Sequence, residues 1–146
     1  MNIEVLIFCN INQSFQKHFH GYYIIGLIAN TAAILGNALG SRIIEVVIKD
    51  IFYKNNNMHL GIIEIPITIL RKRKFIIQFE RKLYEENYKY ILTTDFSNLA
   101  KGCKTYEEFI QKIPNTEYNE LKYYGILLFG YKKKINKLSG NLGLLI

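Results

Sequence analysis

The sequence predicts one α/β domain over residues 1–146, a sandwich in which helices flank a mixed β-sheet. Three observations carry that prediction. Strand-like apolar runs alternate along the chain with helix-like patterns, 49% of the residues are hydrophobic, and no internal repeat, linker or low-complexity block interrupts the 146 residues. A chain of this size has room for one sizeable core and little for a second.

Each element follows in order. Ile3, Val5 and Ile7 alternate with Glu4, Leu6 and Phe8, which reads as a first strand largely buried on both faces. Between His20 and Ser41 no residue is formally charged, and Gly26, Ala29, Ala33, Gly36 and Gly40 recur at spacings of three and four. Those spacings place five small residues along one side of a helix, predict close packing of that seam on a sheet or a second helix, and put Gly40 at the C-cap. The run is long enough to span a bilayer, but Asn30, Thr31, Asn37 and the glycines oppose that reading, so no membrane partner is expected.

Residues 42–48 are β-branched and strand-like, as are 59–70, with Asn55, Asn56 and Asn57 forming the turn between them. Pro66 makes the second run an edge strand, or marks a bulge or the strand's end. Residues 75–86 read as a helix with Phe75, Ile76, Phe79 and Leu83 on one side, and 89–94 as a strand. A short helical turn starts at Ser97. Thr105 with Glu108 forms a capping box that opens a helix ending before Pro114. The remaining pattern is a buried strand over 125–130, a basic amphipathic helical turn, a Ser139-Gly140 turn, and a final apolar strand that pins the C-terminus inside the sheet.

The formal charge of +7 raises a nucleic-acid reading, because clustered Lys and Arg neutralise phosphates. Part of that charge is compositional: Lys outnumbers Arg almost four to one, and Ile, Asn and Tyr are abundant too, the joint bias of A- and T-rich coding DNA. Two clusters stand out after that discount, Arg71-Lys72-Arg73-Lys74, and Lys132, Lys133 and Lys134 with Lys137. Either is a candidate for a phosphate-bearing ligand, against the plainer reading of a solvated face. Cys9 and Cys103 belong to no CxxC or Cys/His cluster, and no signal peptide opens the chain, so a reduced, cytoplasmic setting and no structural zinc are expected. His18 and His20 form an HxH pair with no carboxylate or thiol nearby to complete a metal site, and His59 is isolated. The glycines follow helix packing rather than a phosphate-loop spacing, and no cofactor is expected.

Several of these segments, in this order, carry a resemblance: the apolar first strand, Ala29-Asn30-Thr31-Ala32-Ala33 in a small-residue helix, Gly61 to Pro66, Thr105-Tyr106-Glu107-Glu108-Phe109, and Tyr124 to Gly130 leading into Lys137-Leu138-Ser139-Gly140-Asn141-Leu142. Across nearly the whole chain they resemble the bacterial family known as domain of unknown function 2000, which is similar in fold to the type 2 peptidyl-tRNA hydrolases of archaea and eukaryotes. The resemblance implies a mixed sheet flanked by helices and, for the hydrolase relatives, cleavage of the ester that joins a peptide to tRNA. The hydrolases open their first helix with a Gly-Lys-x-Lys segment followed by Ala-Ala-Gln. Here Ala29-Asn30 stands at Ala-Gln, and Gly26 stands where the active-site lysine is expected. Their aspartate after a strand corresponds to Asp95, but the glycine and threonine that follow it are replaced by Ser97 and Asn98.

Ester hydrolysis needs a positioned water, a donor for the developing oxyanion and a cationic track for phosphates. Asp95 is the candidate base and Asn30 the candidate donor. Lys132, Lys133, Lys134, Lys137 and Ser139 are the candidate tRNA- or phosphate-binding residues. Plainer roles stand beside these: Asp95 as the N-cap or Asx turn of the following helix, and Asn30 as a hydrogen-bonding residue at the edge of the core. Two functional classes result. One is a hydrolase of an acyl or peptidyl ester; the other is a binding module that keeps the fold without the chemistry, using the small-residue helix or a sheet edge to pair with a second copy or another protein.

Overall fold

The structure is a computed structural model that describes residues 3–10, 21–71 and 90–139. Its centre is a four-stranded sheet in the order β4-β1-β6-β5, built from β1 (Ile3–Cys9), β4 (Ile67–Arg71), β5 (Ile91–Ser97) and β6 (Tyr123–Tyr131). β1 runs parallel to β4, and β6 runs antiparallel to both β1 and β5, so the sheet is mixed. A separate hairpin pairs β2 (Ile51–Phe52) with β3 (Met58–His59). The described helices are α1 (Gly21–Arg42), α2 (Asn98–Gly102), α3 (Tyr106–Lys112) and α4 (Lys132–Ser139).

Side chains alternate across the sheet because successive residues of a strand point to opposite faces. Leu6, Phe8, Leu70, Ile126 and Leu128 pack on one face with Ile135 of α4. Val5, Ile7, Cys9, Phe96 and Leu127 pack on the other with Leu35 and Leu39 of α1. Each such buried side chain contributes about 1.5–3 kcal/mol of transfer free energy. The first strand is therefore buried on both sides, as its apolar alternation requires. Along β5 and β6, Phe96 pairs Gly125 but Ser97 pairs Tyr123, so Tyr124 is a bulge that reverses which face the next side chain takes. The bulge explains why Tyr123 joins the α4 face although Leu127 and Phe129, also odd-numbered, face α1.

Gly125 fixes how α1 meets the sheet. A Cβ there would lie 2.4 Å from Thr31 Cγ2, 3.0 Å from the Phe8 carbonyl oxygen and 3.2 Å from Leu35 Cδ1. Without it, α1 comes down onto β6 and Thr31 is fully buried.

Three local expectations are corrected. The 42–48 run is not a strand: α1 continues through Arg42, so Gly40 is inside the helix, and the backbone then tightens into a 3-10 turn over Ile44–Val46. The end of the run pairs briefly with residues 62–64, through the Val47–Ile63 bridge and the hydrogen bonds from the Ile48 N–H to the Ile62 carbonyl and from the Glu64 N–H to the Val46 carbonyl, too short a ladder to make a strand of the whole run. The small-residue seam of α1 does not form the packing face as a whole. A Cβ built at Gly36 or Gly40 would lie within 4 Å of Ile67 or Val47, but Gly26, Ala29 and Ala33 face solvent, while Ile28, Ala32, Leu35 and Leu39 meet the sheet. Size cannot decide the packing side when a set of large apolar residues with the same period competes for it. The 59–70 run is broken into β3 and β4, with Pro66 just before β4, an edge strand.

The turn at 55–57 forms as expected, with Asn56 at φ 64°. So does the α3 cap, where Thr105 Oγ1 accepts from the Glu108 N–H at 3.2 Å. The helix expected at 75–86 and the strand expected after residue 140 lie outside the described residues.

Candidate ligand-binding site

Asp95 lies within β5 directly opposite Ile126, on the α4 face of the sheet, and is exposed. It is not a helix cap. The N-cap position of α2 is Ser97, and Asn98 ties that corner down: its Oδ1 accepts from the Lys122 N–H at 2.8 Å and its N–H donates to the Lys122 carbonyl at 2.9 Å. Asn30 is exposed on α1, which covers the opposite face. It is not at a core edge. The sheet stands between the two residues, so the fold does not bring the candidate base and the candidate oxyanion donor together. Gly26 is exposed helix surface with nothing within 4 Å of a Cβ built there.

The lysines are gathered differently. α4 follows β6 without a break and is anchored by Ile135, which is fully buried. Its period then turns Lys132, Lys133 and Lys137 to solvent. Lys134 is partly buried, with Nζ 3.7 Å from the centre of the Tyr90 ring, a cation-π contact. Ser139 ends the helix; its side chain is outside the described set, as are Lys72 to Lys74 of the other basic cluster, which follow the end of β4 at Arg71.

At the end of the sheet, on the α1 face that Leu92 and Phe129 share, is a cavity of about 240 Å³ lined by Ile3, Tyr90, Leu92, Phe129, Gly130 and Tyr131, and Tyr90 joins it to Lys134. Tyr90 is 67% exposed and Tyr131 60% exposed, so two aromatic rings stand in water at the rim of an apolar hollow. Gly130 keeps the neighbouring backbone close: a Cβ there would lie 3.0 Å from the Tyr90 carbonyl oxygen. Glu4 pairs with Gly130 in register, and its Oε2 is buried without a hydrogen-bond partner, an acceptor under the start of α4. The tyrosines and Glu4 were missed in the sequence reading; the visible signal was the run Tyr131-Lys132-Lys133-Lys134, an aromatic joined directly to cations.

Other chemistries find little support in the described residues. Burial pushes the Cys9 thiol up to about 11, so it stays protonated and inert at neutral pH. No group of three His, Cys, Asp or Glu residues that could hold a metal occurs among the described residues. Lys17, His18 and His20 lie outside them. Among the described residues, no helix is long and apolar enough to cross a membrane.

In fold, the chain is similar to the protein of unknown function Atu0240 from Agrobacterium tumefaciens strain C58, with a TM-score of 0.75 over 100% of this chain and 99% of that one, at 11% identity. No curated protein matches the chain. A family model described as protein of unknown function (DUF2000) matches residues 23–145, a span from α1 through α4 and beyond. The chain belongs to the DUF2000 family.

Proposed function

We propose that this protein is a non-catalytic binding module that captures a phosphate-bearing ligand of the single-stranded nucleic-acid kind at the junction of β6 and α4. One observation carries the reading: Lys134 stacked on Tyr90, with Tyr131, Lys132 and Lys133 beside it at the rim of an apolar hollow. Single strands are held by cations that follow the phosphates and by aromatic rings on which bases stack, about 1–3 kcal/mol per base. The rings here are exposed rather than spent in the core, and the cations are within one helical turn of them.

A catalytic reading asks for a base and an oxyanion donor around one reacting atom, and the sheet separates Asp95 from Asn30. Hydrolysis of a peptidyl-tRNA ester keeps a place as the second reading on a specific observation: Asp95 is exposed on the same face of the sheet as α4 and its lysines.

The test is anisotropy of a labelled single-stranded RNA oligonucleotide titrated with the wild-type protein, Lys132→Ala/Lys133→Ala and Tyr131→Ala. Binding that weakens with salt and is lost in both variants supports the proposal. Wild-type protein that leaves the oligonucleotide free at low salt, or variants that bind like wild type, refutes it.

A further inference from the structure

Three consecutive lysines open α4, and the helix sends them to different places. Lys132 and Lys133 are exposed, as is Lys137, whereas Lys134 is partly buried beside the fully buried Ile135. Its Nζ lies 3.7 Å from the centre of the Tyr90 ring, in van der Waals contact with the ring's face. An ammonium in that position is attracted by the negative face of the ring.

The backbone of Tyr90 is placed by the sheet. The residue directly precedes β5, whose first residue, Ile91, pairs with Gly130. A Cβ at Gly130 would lie 3.0 Å from the Tyr90 carbonyl oxygen and 3.2 Å from Ile91 Cγ1, so the bare glycine lets Tyr90 lie close against β6. The side chain has no such support: it is 67% exposed and belongs to neither core cluster. Lys134 supplies the orientation that packing does not. The ammonium caps one face of the ring, and most of the remainder is open to water.

A second lysine–tyrosine pair shows the difference. Lys101 Nζ is 4.9 Å from the centre of the Tyr124 ring, but that ring also meets Phe96 at 5.7 Å and packs against the α1 side of the core. There packing fixes the ring and the lysine is an addition to it. At Tyr90 the closer lysine replaces the packing.

From these observations we infer that Lys134 is a positioning residue rather than a phosphate ligand: it holds the Tyr90 ring with one face open, as a platform on which a base of the ligand stacks, and leaves the phosphates to Lys132 and Lys133. The inference rests on the single-strand reading above and adds two roles to it, Tyr90 as a stacking residue and Lys134 acting through Tyr90. A ring held in place before the ligand arrives loses less side-chain entropy on binding. An ammonium that neutralises no phosphate releases no counterion, so its removal lowers affinity without changing the salt dependence.

The experiment is anisotropy of a labelled oligoadenylate over a series of salt concentrations, with wild-type protein, Lys134→Met, Tyr90→Ala, the double variant Lys134→Met/Tyr90→Ala, and Lys134→Arg. Methionine keeps the apolar stem of lysine and Tyr90 lies outside the core, so native circular dichroism spectra are expected; Lys134→Gln takes the place of Lys134→Met if methionine prevents folding. Tyr90→Ala should weaken binding about 5- to 150-fold, the loss of one stacked base. Lys134→Met should weaken it about 3- to 10-fold, with the slope of log affinity against log salt at the wild-type value in both single variants. In the Tyr90→Ala background Lys134→Met should add nothing, and Lys134→Arg, whose guanidinium also caps aromatic rings, should bind like wild type. With wild-type binding intact, the inference is overturned by a slope that falls by about 0.7 in Lys134→Met, the value for one phosphate on a single strand, by effects of the two substitutions that add in the double variant, or by Lys134→Met that binds like wild type. Wild-type protein that leaves the oligoadenylate free at low salt overturns the single-strand reading itself, and this inference with it.

Discussion

On one face of the sheet a 22-residue helix presses down until β6 has no room for a side chain at Gly125; on the other, an eight-residue helix anchors through Ile135 and turns its lysines outward. The α1 contact is apolar and sterically exacting, and its polar candidate, Asn30, faces away from it into solvent. The α4 side carries Asp95, Glu4 and the lysines, and Lys134 reaches Tyr90 at the sheet's end. The contrast teaches a division of labour within one sheet. Steric fit under α1 holds the fold, which leaves the β6–α4 junction free to present charge and aromatic surface.

The largest expected effect is at the tight contact. Gly125→Ala forces a methyl group into Thr31, Leu35 and the Phe8 carbonyl, and should lower unfolding stability by about 3 kcal/mol, read as a fall in urea midpoint. Gly26→Ala, on the solvent side of the same helix, meets nothing within 4 Å and should instead raise stability by up to about 1 kcal/mol through helix propensity. Equal effects from the two substitutions would break the claim that α1 has one committed face.

Next come the changes at the other side. Tyr131→Ala should weaken single-stranded RNA binding by about 1–3 kcal/mol while leaving the melting curve near wild type, since the ring is 60% exposed. Lys132→Ala/Lys133→Ala should reduce the slope of log affinity against log salt by about 1.4, the value for two phosphates on a single strand. A smaller effect is expected beneath α1: Thr31 Oγ1 is fully buried without a partner, so Thr31→Val, which keeps the shape and removes the hydroxyl, should be neutral or stabilising by up to about 1 kcal/mol in the same urea assay.

The smallest effect belongs to the α3 cap, remote from both faces. A hydrogen bond from Lys112 at 2.5 Å, and next one from the Lys104 N–H, hold the Glu108 carboxyl below its ordinary value of 4.5. A carboxyl lowered on folding contributes stability above its unfolded pKa and loses it as pH falls through the folded one. The urea midpoint should therefore drop slightly more steeply below pH 4.5 in wild type than in Glu108→Gln, the difference remaining small because the pair is exposed.

What could be read from the sequence were features written locally. The two-faced β1, the Thr105–Glu108 cap, the Asn turn at 55–57 and the basic helix after β6 each depend on residues a few positions apart, and each formed. The site depended on long-range parity. Whether Asp95 faces Asn30 is decided by which side of β5 pairs with Ile126 and which side of the sheet α1 covers, and neither is fixed by spacing within one segment. The sequence pattern ends this strand at residue 94 and places Asp95 after it, whereas β5 runs through Ser97 and takes Asp95 in. The exposed seam of α1 was misread for a related reason: Gly26, Ala29 and Ala33 share a side, yet Leu35 and Leu39 offer more apolar area to bury and win the sheet.

The central claim, capture without turnover, is tested most directly by mixing radiolabelled N-acyl-aminoacyl-tRNA with a molar excess of the protein and following, in the same samples, retention on a protein-binding filter and integrity of the ester. The account predicts retention that falls with added salt while the ester decays at its rate in buffer. Ester cleavage faster than in buffer, abolished by Asp95→Ala, would contradict it and establish a hydrolase; tRNA that passes the filter at low salt would contradict the capture itself.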